Sequence, residues 1–156
     1  MCDLLAAPPQ SDLPGEDLYG LGRFYQDLEQ LTEAEAAFAQ AAATCHSPLV
    51  REMAKRDLAY LLKRQERREE ALPWWQQLVE TEGAVYACEE LAKHYEWHAP
   101  DLDQALAWTE RAIALVEAWP RGPKRRDLLA ELVHRQARLA RKQALPEGAD
   151  YVAAEL

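Results

Sequence analysis

The fold is decided by residues 21–42, LGRFYQDLEQLTEAEAAFAQAA, which return 37 positions later, at residues 58–79, as LAYLLKRQERREEALPWWQQLV. Both copies keep the same internal spacing of apolar residues, and most of the matching pairs also agree in residue type. The matching pairs are Leu21/Leu58, Gly22/Ala59, Tyr25/Leu62, Ala34/Ala71, Phe38/Trp75 and Ala41/Leu78. Because apolar residues recur every three or four positions, each copy predicts two amphipathic helices joined by a turn.

A third copy follows the second and differs from it by one extra residue in the turn. Its matching residues are Leu91, Ala92, Tyr95, Ala105, Thr109 and Ala112. Three copies with conserved spacing predict an array in which each helical hairpin buries its apolar face against the next.

This pattern of Leu-Gly, Tyr, small Ala, aromatic and Ala resembles the tetratricopeptide repeat, a helix-turn-helix of about 34 residues. The resemblance covers residues 15–118 and implies an all-α fold, an α-α superhelix of about three such units. We expect the repeat domain to span residues 15–144 and to include a C-terminal capping helix. A flexible segment at 1–14 and a tail at 145–156 are expected to flank it.

Turn signals divide the repeat domain into seven predicted helices. Their expected ranges are 16–28, 32–44, 48–65, 68–82, 84–97, 101–118 and 124–144. Ser47-Pro48 predicts an N-cap followed by proline at the first helical position, and Asp101-x-x-Gln104 predicts a second cap. Thr32-x-x-Glu35 has the spacing of a capping box, which would begin the second helix.

Composition limits the classes of protein that the chain can represent. It has 156 residues, 49% of them hydrophobic, a net charge of −9 and three scattered cysteines without CxxC spacing. Neither a disulfide framework nor a thiolate zinc site is indicated. No stretch approaches the roughly 20 apolar residues of a membrane span, and the acidic opening is unlike a signal peptide. We therefore expect a cytoplasmic protein that does not bind membranes.

The repeat pattern assigns most apolar positions to packing and not to a site. Small residues let helices approach closely, and Tyr25, Phe38 and Trp75 fill the space between repeats. The small positions are Gly22, Ala34, Ala41, Ala59, Ala71, Ala92, Ala105 and Ala112. Leu128, Leu132 and Leu139 form one stripe on the last helix, whose remaining face is expected to be polar, as a capping helix requires.

Catalytic and metal-binding motifs are weak throughout the chain. His94-x-Glu96-x-His98 places two histidines on one helix face, but two ligands are too few for a zinc site, and the glutamate lacks the H-E-x-x-H spacing. The chain has neither a phosphate-binding loop nor a G-x-S-x-G motif. We expect a non-enzyme that uses no cofactor and no metal.

The first helix of each repeat is expected to line a concave groove rich in aromatic and basic side chains, as tetratricopeptide arrays do. The predicted groove residues are Tyr19, Arg23, Arg56, Tyr60, Lys63, Arg64, Tyr86, Lys93 and Trp97. Such a groove suits a protein or peptide partner, in particular an acidic one, because aromatic rings supply contact area and cations steer association. The alternative is that these polar residues only keep the array soluble. The chain contains no asparagine, so the paired Asn and Lys clamp of some tetratricopeptide proteins is not expected.

Nucleic acid is the alternative partner. Residues 121–143 hold eight Lys or Arg against Asp127 and Glu131, a local charge of +6 on an acidic chain. The candidate phosphate contacts are Arg125, Arg126, Arg135, Arg138 and Arg141. More often such a run is a solvated helix face, or one paired with acidic side chains of its neighbours. Self-association through an exposed repeat face is a third possibility, because the ends of open arrays can stack.

Longer phrases give a second resemblance. DLYGLGRFYQDL, LAYLLKRQERREEALPWWQQLVE and LVHRQARLARK are similar to the C-terminal helical-repeat half of bacterial ribonuclease-H-like proteins, which are predicted exonucleases. The likeness spans residues 17–143. It implies an accessory role beside a nuclease, but the nuclease domain has no counterpart here, so no catalytic residue is carried over.

Overall fold

The computed structural model describes residues 13–144, and within that range the chain forms helices and no strand. The helices are α1 (Gly15–Asp27), α2 (Leu31–Thr44), α3 (Pro48–Arg64), α4 (Arg68–Glu82), α5 (Val85–Trp97), α6 (Leu102–Glu117) and α7 (Pro123–Ala144). Each boundary lies within one residue of the predicted one, so the all-α helical-repeat fold is confirmed. The predicted terminal segments lie almost wholly outside the described residues.

Contacts group the chain into two compact units that divide between Glu82 and Gly83. In the first unit α1 packs on α2, α2 on α3, and α3 on α4. In the second unit α5 packs on α6, and α6 packs on α7. The hairpins α1–α2, α3–α4 and α5–α6 are the three repeats predicted from the sequence.

The turns inside the first two hairpins are also copies of each other. Glu29 and Glu66 stand 37 positions apart and adopt left-handed backbone conformations, with φ of 59° and 63°. The amide of the residue after each reaches back to a carbonyl five positions earlier, at 2.9 and 3.0 Å. This is the Schellman ending of a helix. The third turn carries the extra residue and closes instead through Asp101 N to Tyr95 O at 2.8 Å.

Two of the predicted helix caps are confirmed. Ser47 Oγ accepts a hydrogen bond from the Val50 amide at 3.4 Å, directly before Pro48 at the first helical position. Asp101 Oδ1 accepts one from the Gln104 amide at 3.0 Å. Each cap satisfies one of the amides that a helix start leaves without an intrahelical partner.

The predicted capping box at the start of α2 is wrong. The helix begins at Leu31, Gln30 is its N-cap residue, and no side chain caps it. Thr32 is therefore already inside the helix. Glu35 instead accepts two hydrogen bonds from the Arg67 guanidinium, at 2.6 and 3.1 Å. The Glu35 carboxylate, which would have closed the capping box, forms an ion pair with Arg67 of the next hairpin instead.

The predicted packing residues form the core. The small positions are all buried, as are Phe38 and Trp75, whereas Tyr25 is half-buried. Gly22 is required by close approach: a Cβ there would lie 2.5 Å from Cδ1 of Phe38, whose side chain is fully buried. The repeat signature therefore has glycine at this position because the two helices pack too closely to leave room for a side chain.

The last helix covers the hairpin before it with part of the predicted stripe. Leu132 and Leu139 are buried, and Leu128 is half-buried. The opposite face is less polar than predicted, because Val133 is 50% exposed and aligns with exposed alanines. Those alanines are Ala130, Ala137 and Ala140. None of the helices between residues 13 and 144 is both long enough and apolar enough to cross a bilayer.

Candidate functional site

In the first unit, three predicted groove residues share an acidic partner that the sequence analysis missed. Tyr19 donates a hydrogen bond to Asp57 Oδ2 at 2.8 Å, and Arg23 Nη1 lies 3.9 Å from the same oxygen. Arg56 Nε lies 3.1 Å from Asp57 Oδ1. Burial and the neighbouring Asp57 raise the pKa of the Tyr19 phenol. Because Asp57 offsets these cations, this surface is less basic than the sequence suggested.

The other groove residues of the first unit lie at the carboxyl end of α3. Tyr60 is 36% exposed and meets Trp75 edge to face, with ring centroids 4.8 Å apart. Lys63 Nζ lies 5.9 Å from the Tyr60 ring centroid, and Arg64 is exposed. Trp75, which is buried, therefore fixes the Tyr60 ring, while the other sides of that ring face solvent and Lys63.

In the second unit, the predicted groove residues differ in how far they are available. Tyr86 is half-buried, and Lys93 Nζ is paired with Glu90 Oε1 at 3.0 Å. Trp97, the last residue of α5, is 59% exposed. Among the residues of this unit that the structure describes, Trp97 is the most exposed large apolar side chain, so its indole offers a partner a wide apolar contact.

Directly before Trp97, the side chain of Glu96 is wholly buried beneath cations of α7. Arg138 binds it through two nitrogens, one of them 2.9 Å from Oε2, and Lys142 Nζ lies 2.8 Å from Oε1. Arg135 Nη2 lies 3.7 Å from Oε2. Burial alone would raise the pKa of Glu96, but the hydrogen bonds from Arg138 and Lys142 outweigh it and lower that pKa. Glu96 and these three cations are called the Glu96 cluster below.

The same cations hold the Trp97 ring. Lys142 Nζ lies 4.1 Å from its centroid and the Arg138 guanidinium carbon lies 5.9 Å away, both within the range of cation–π attraction. Trp97 was predicted as a groove residue and Arg138 as a nucleic-acid contact. The structure brings these two separately predicted sites together at one end of α5 and α7.

The remaining predicted phosphate contacts on α7 have different surroundings. Arg125 donates to the carbonyls of Val116 and Glu117, both at 3.2 Å, and so caps the end of α6. Arg126 is exposed and pairs with its neighbour at 2.9 Å. Arg141 is exposed and makes no ion pair with any residue in the range 13–144. The five predicted phosphate contacts are thus divided into three arginines that bind neighbouring protein groups and two exposed arginines, Arg126 and Arg141.

A cavity of about 240 Å³ opens between α5 and α7, beside the Glu96 cluster. It is lined by Glu89, Glu131, Leu132, His134, Arg135 and Arg138. The two arginines are already bound to Glu96, whereas Glu89 and Glu131 have no ion-pair partner among the described residues. The cavity therefore presents its acidic side chains at the end away from Trp97.

The two histidines considered as metal ligands in the sequence analysis lie at the carboxyl end of α5, close to Trp97. His94 is buried, His98 is exposed, and their ring centroids are 6.2 Å apart. Across residues 13–144, no three His, Cys, Asp or Glu side chains are arranged to hold a metal ion. Cys45 and Cys88 are buried free thiols, and burial raises the pKa of Cys88 to about 11.

Comparison with known proteins identifies the fold. The crystal structure of PcrH from Pseudomonas aeruginosa is similar, with a TM-score of 0.60 and 19% sequence identity over 81% of this chain and 91% of PcrH. The chain has a tetratricopeptide-like helical-repeat fold. No protein-family model matches the sequence. No curated protein matches it either, and the resemblance to ribonuclease-H-like proteins gains no support.

Proposed function

We propose that this chain is a non-catalytic interaction module that binds a peptide or helix of a partner protein. The observation that carries the proposal is Trp97, an exposed ring fixed by the cations Lys142 and Arg138. Tryptophan and arginine are enriched at binding hot spots, and a tryptophan ring offers a large contact area at low cost in conformational entropy. The fold supports the same function, since stacked helical repeats form extended binding surfaces.

The first experiment is capture of partners from the native lysate with the tagged full chain, with and without nuclease treatment, followed by mass spectrometry. A protein that survives nuclease treatment and is lost in Trp97→Ala, or in Tyr60→Ala with Lys63→Glu, supports the proposal. Phe24→Ala is the matched control, because Phe24 is 57% exposed and belongs to neither predicted surface. Capture that depends wholly on nucleic acid contradicts the proposal.

A second proposed function is nucleic-acid binding, in which the chain positions a strand for a separate nuclease. Arg126 and Arg141 favour it, because both are exposed on α7 outside the Glu96 cluster. Phosphate contacts are screened by salt, so this binding should weaken steeply as ionic strength rises. Arg126→Glu with Arg141→Glu should abolish binding of a single-stranded oligonucleotide in a gel-shift assay. Unchanged binding in that variant would reject this second proposal.

A further inference from the structure

The cavity between α5 and α7, the adjoining Glu96 cluster and Trp97 are together called the α5–α7 groove below, and Arg138 belongs both to the cavity and to the cluster. The two ends of this groove carry opposite charges. The acidic end is formed by Glu89 and Glu131 in the 240 Å³ cavity. The opposite end lies at Glu96, seven residues further along α5, which corresponds to about 10 Å of helix. A segment lying along this groove would therefore meet carboxylates first and the Glu96 cluster one or two turns later.

The cationic end carries more positive charge than its carboxylate neutralises. Arg135, Arg138 and Lys142 surround the single charge of Glu96, which leaves a surplus of two positive charges. The Glu96 side chain is fully buried, but Arg138 and Lys142 keep 33% and 36% of their side-chain surfaces exposed. These two cations can therefore donate to a further carboxylate from the solvent side, because an ammonium has three donors and a guanidinium five.

Trp97 adds an apolar platform to this charge. Its ring is 59% exposed and is held by Lys142 at 4.1 Å, so it is already oriented before a partner arrives. A pre-oriented aromatic ring beside donor groups fits a peptide that places an aliphatic or aromatic side chain next to a carboxylate. A base could stack on the same ring, so nucleic acid is the alternative that an experiment has to separate.

We propose that the α5–α7 groove of the second unit binds an acidic peptide segment, with its carboxylates on Lys142 and Arg138 and an apolar side chain on Trp97. The inference rests on the proposed function and specifies its partner chemistry. Charge complementarity at the cationic end, where Trp97 lies, favours a peptide that places carboxylates there. It also sets the direction of the segment, because a basic residue of the same peptide would face Glu89 and Glu131.

The test is fluorescence polarisation with three labelled probes and the full chain. The probes are an acidic peptide of glutamate and leucine, the same peptide with lysine in place of glutamate, and a single-stranded oligonucleotide of the same charge as the acidic peptide. The acidic peptide should bind and the basic peptide should not. Trp97→Ala should weaken acidic-peptide binding at least tenfold, as expected for a hot-spot aromatic. Lys142→Gln should weaken it about threefold, and binding should fall with added salt.

The chain offers a matched control pair at the other end of α7. Lys124 Nζ lies 5.5 Å from the centroid of the Trp119 ring, so it repeats the lysine-over-tryptophan contact outside the groove. Trp119→Ala and Lys124→Gln should leave acidic-peptide binding unchanged. Far-UV circular dichroism should show intact helices in Trp97→Ala, because this ring is mostly exposed.

Three results would overturn the inference. Acidic-peptide binding could be absent or unaffected by Trp97→Ala, the basic peptide could bind equally well, or the oligonucleotide could bind more tightly through the same two residues. Repeating the lysate capture with Trp97→Ala combined with Lys142→Gln distinguishes failure of the α5–α7 groove from failure of the interaction module. A nuclease-resistant partner that this variant retains, but that Tyr60→Ala with Lys63→Glu loses, contradicts the groove and supports the interaction module. Recovery of no such partner by the unmodified chain contradicts the module itself.

Discussion

Glu96→Gln is the substitution that best tests how the second unit is held together. Glutamine keeps the size of the side chain and one carbonyl acceptor but removes the negative charge. Arg135, Arg138 and Lys142 would then surround a neutral amide, and Arg138 would lose its two-point contact. The change therefore leaves three cations close together without a carboxylate, while the packing of Leu132 and Leu139 stays the same.

The expected loss can be bounded from burial. Removing one partner of a fully buried ion pair costs about 3–5 kcal/mol, because the remaining charge stays desolvated. Here the carboxylate is fully buried, but Arg138 and Lys142 are each about one-third exposed and can regain water. We therefore expect the free energy of unfolding to fall by about 2 kcal/mol. For a chain of this size that corresponds to a melting temperature lower by about 4–8 °C.

The assay is urea unfolding at several pH values, followed by circular dichroism. Since the pKa of Glu96 is lowered in the folded state, its contribution is fully present above its ordinary value of 4.5 and is lost as pH falls through the folded value. The difference between the unmodified chain and Glu96→Gln should therefore be constant from pH 7 to about 5 and shrink below pH 4.5. Glu89→Gln, one heptad earlier on α5, is the control and should change stability by less than about 0.5 kcal/mol. A loss below about 0.5 kcal/mol for Glu96→Gln, or a difference independent of pH, would refute the reasoning.

Three further predictions concern the first unit, each measured as the change in unfolding free energy by urea titration. Gly22→Ala should destabilise by about 2–3 kcal/mol, because its Cβ would overlap the buried phenylalanine ring at 2.5 Å. Gly20→Ala in the same helix meets open space and should stabilise by about 0.5–1 kcal/mol, so equal effects would contradict the packing argument. Ser47→Ala should lower stability by about 1 kcal/mol because it removes a helix cap, whereas Thr32→Ala should have no measurable effect. A larger loss for Thr32→Ala than for Ser47→Ala would show that the capping box forms after all. Glu29→Gly should stabilise by about 1 kcal/mol, because glycine adopts a φ of 59° without strain, and a loss of stability would count against that account.

The helices and repeats were predictable because their causes are local. A 37-residue period with small residues at close contacts leaves few alternatives to packed helical hairpins. Ser47 and Asp101 were recognised as caps because a cap bonds to an amide three residues away. Thr32 and Glu35 have the same spacing, yet Arg67 from the next hairpin binds Glu35 instead. A two-point contact with a guanidinium outweighs a single hydrogen bond from a backbone amide, and local spacing alone does not reveal a partner on the next hairpin.

The candidate site was predicted only in part, for a related reason. Trp97 and Arg138 were each selected by residue type and helix position, but 41 positions separate them and no local signal connects them. Asp57 was missed because it occupies the position of Gly20 in the first repeat, where the signature places no functional residue. A search for acidic residues on the first helix of each repeat would have found both Asp57 and Glu96.

The sequence by itself determined the all-α class, the number of hairpins, the helix ends and most of the core, since these follow from periodicity and side-chain size. Only the tertiary structure decided which charged and aromatic side chains are available to a partner. It buries Glu96 beneath Arg135, Arg138 and Lys142, and leaves Trp97 and Arg141 exposed. The physical reason is that the strength of a charge depends on its burial and on partners brought close by helix packing. Neither quantity is encoded at the position of the residue itself.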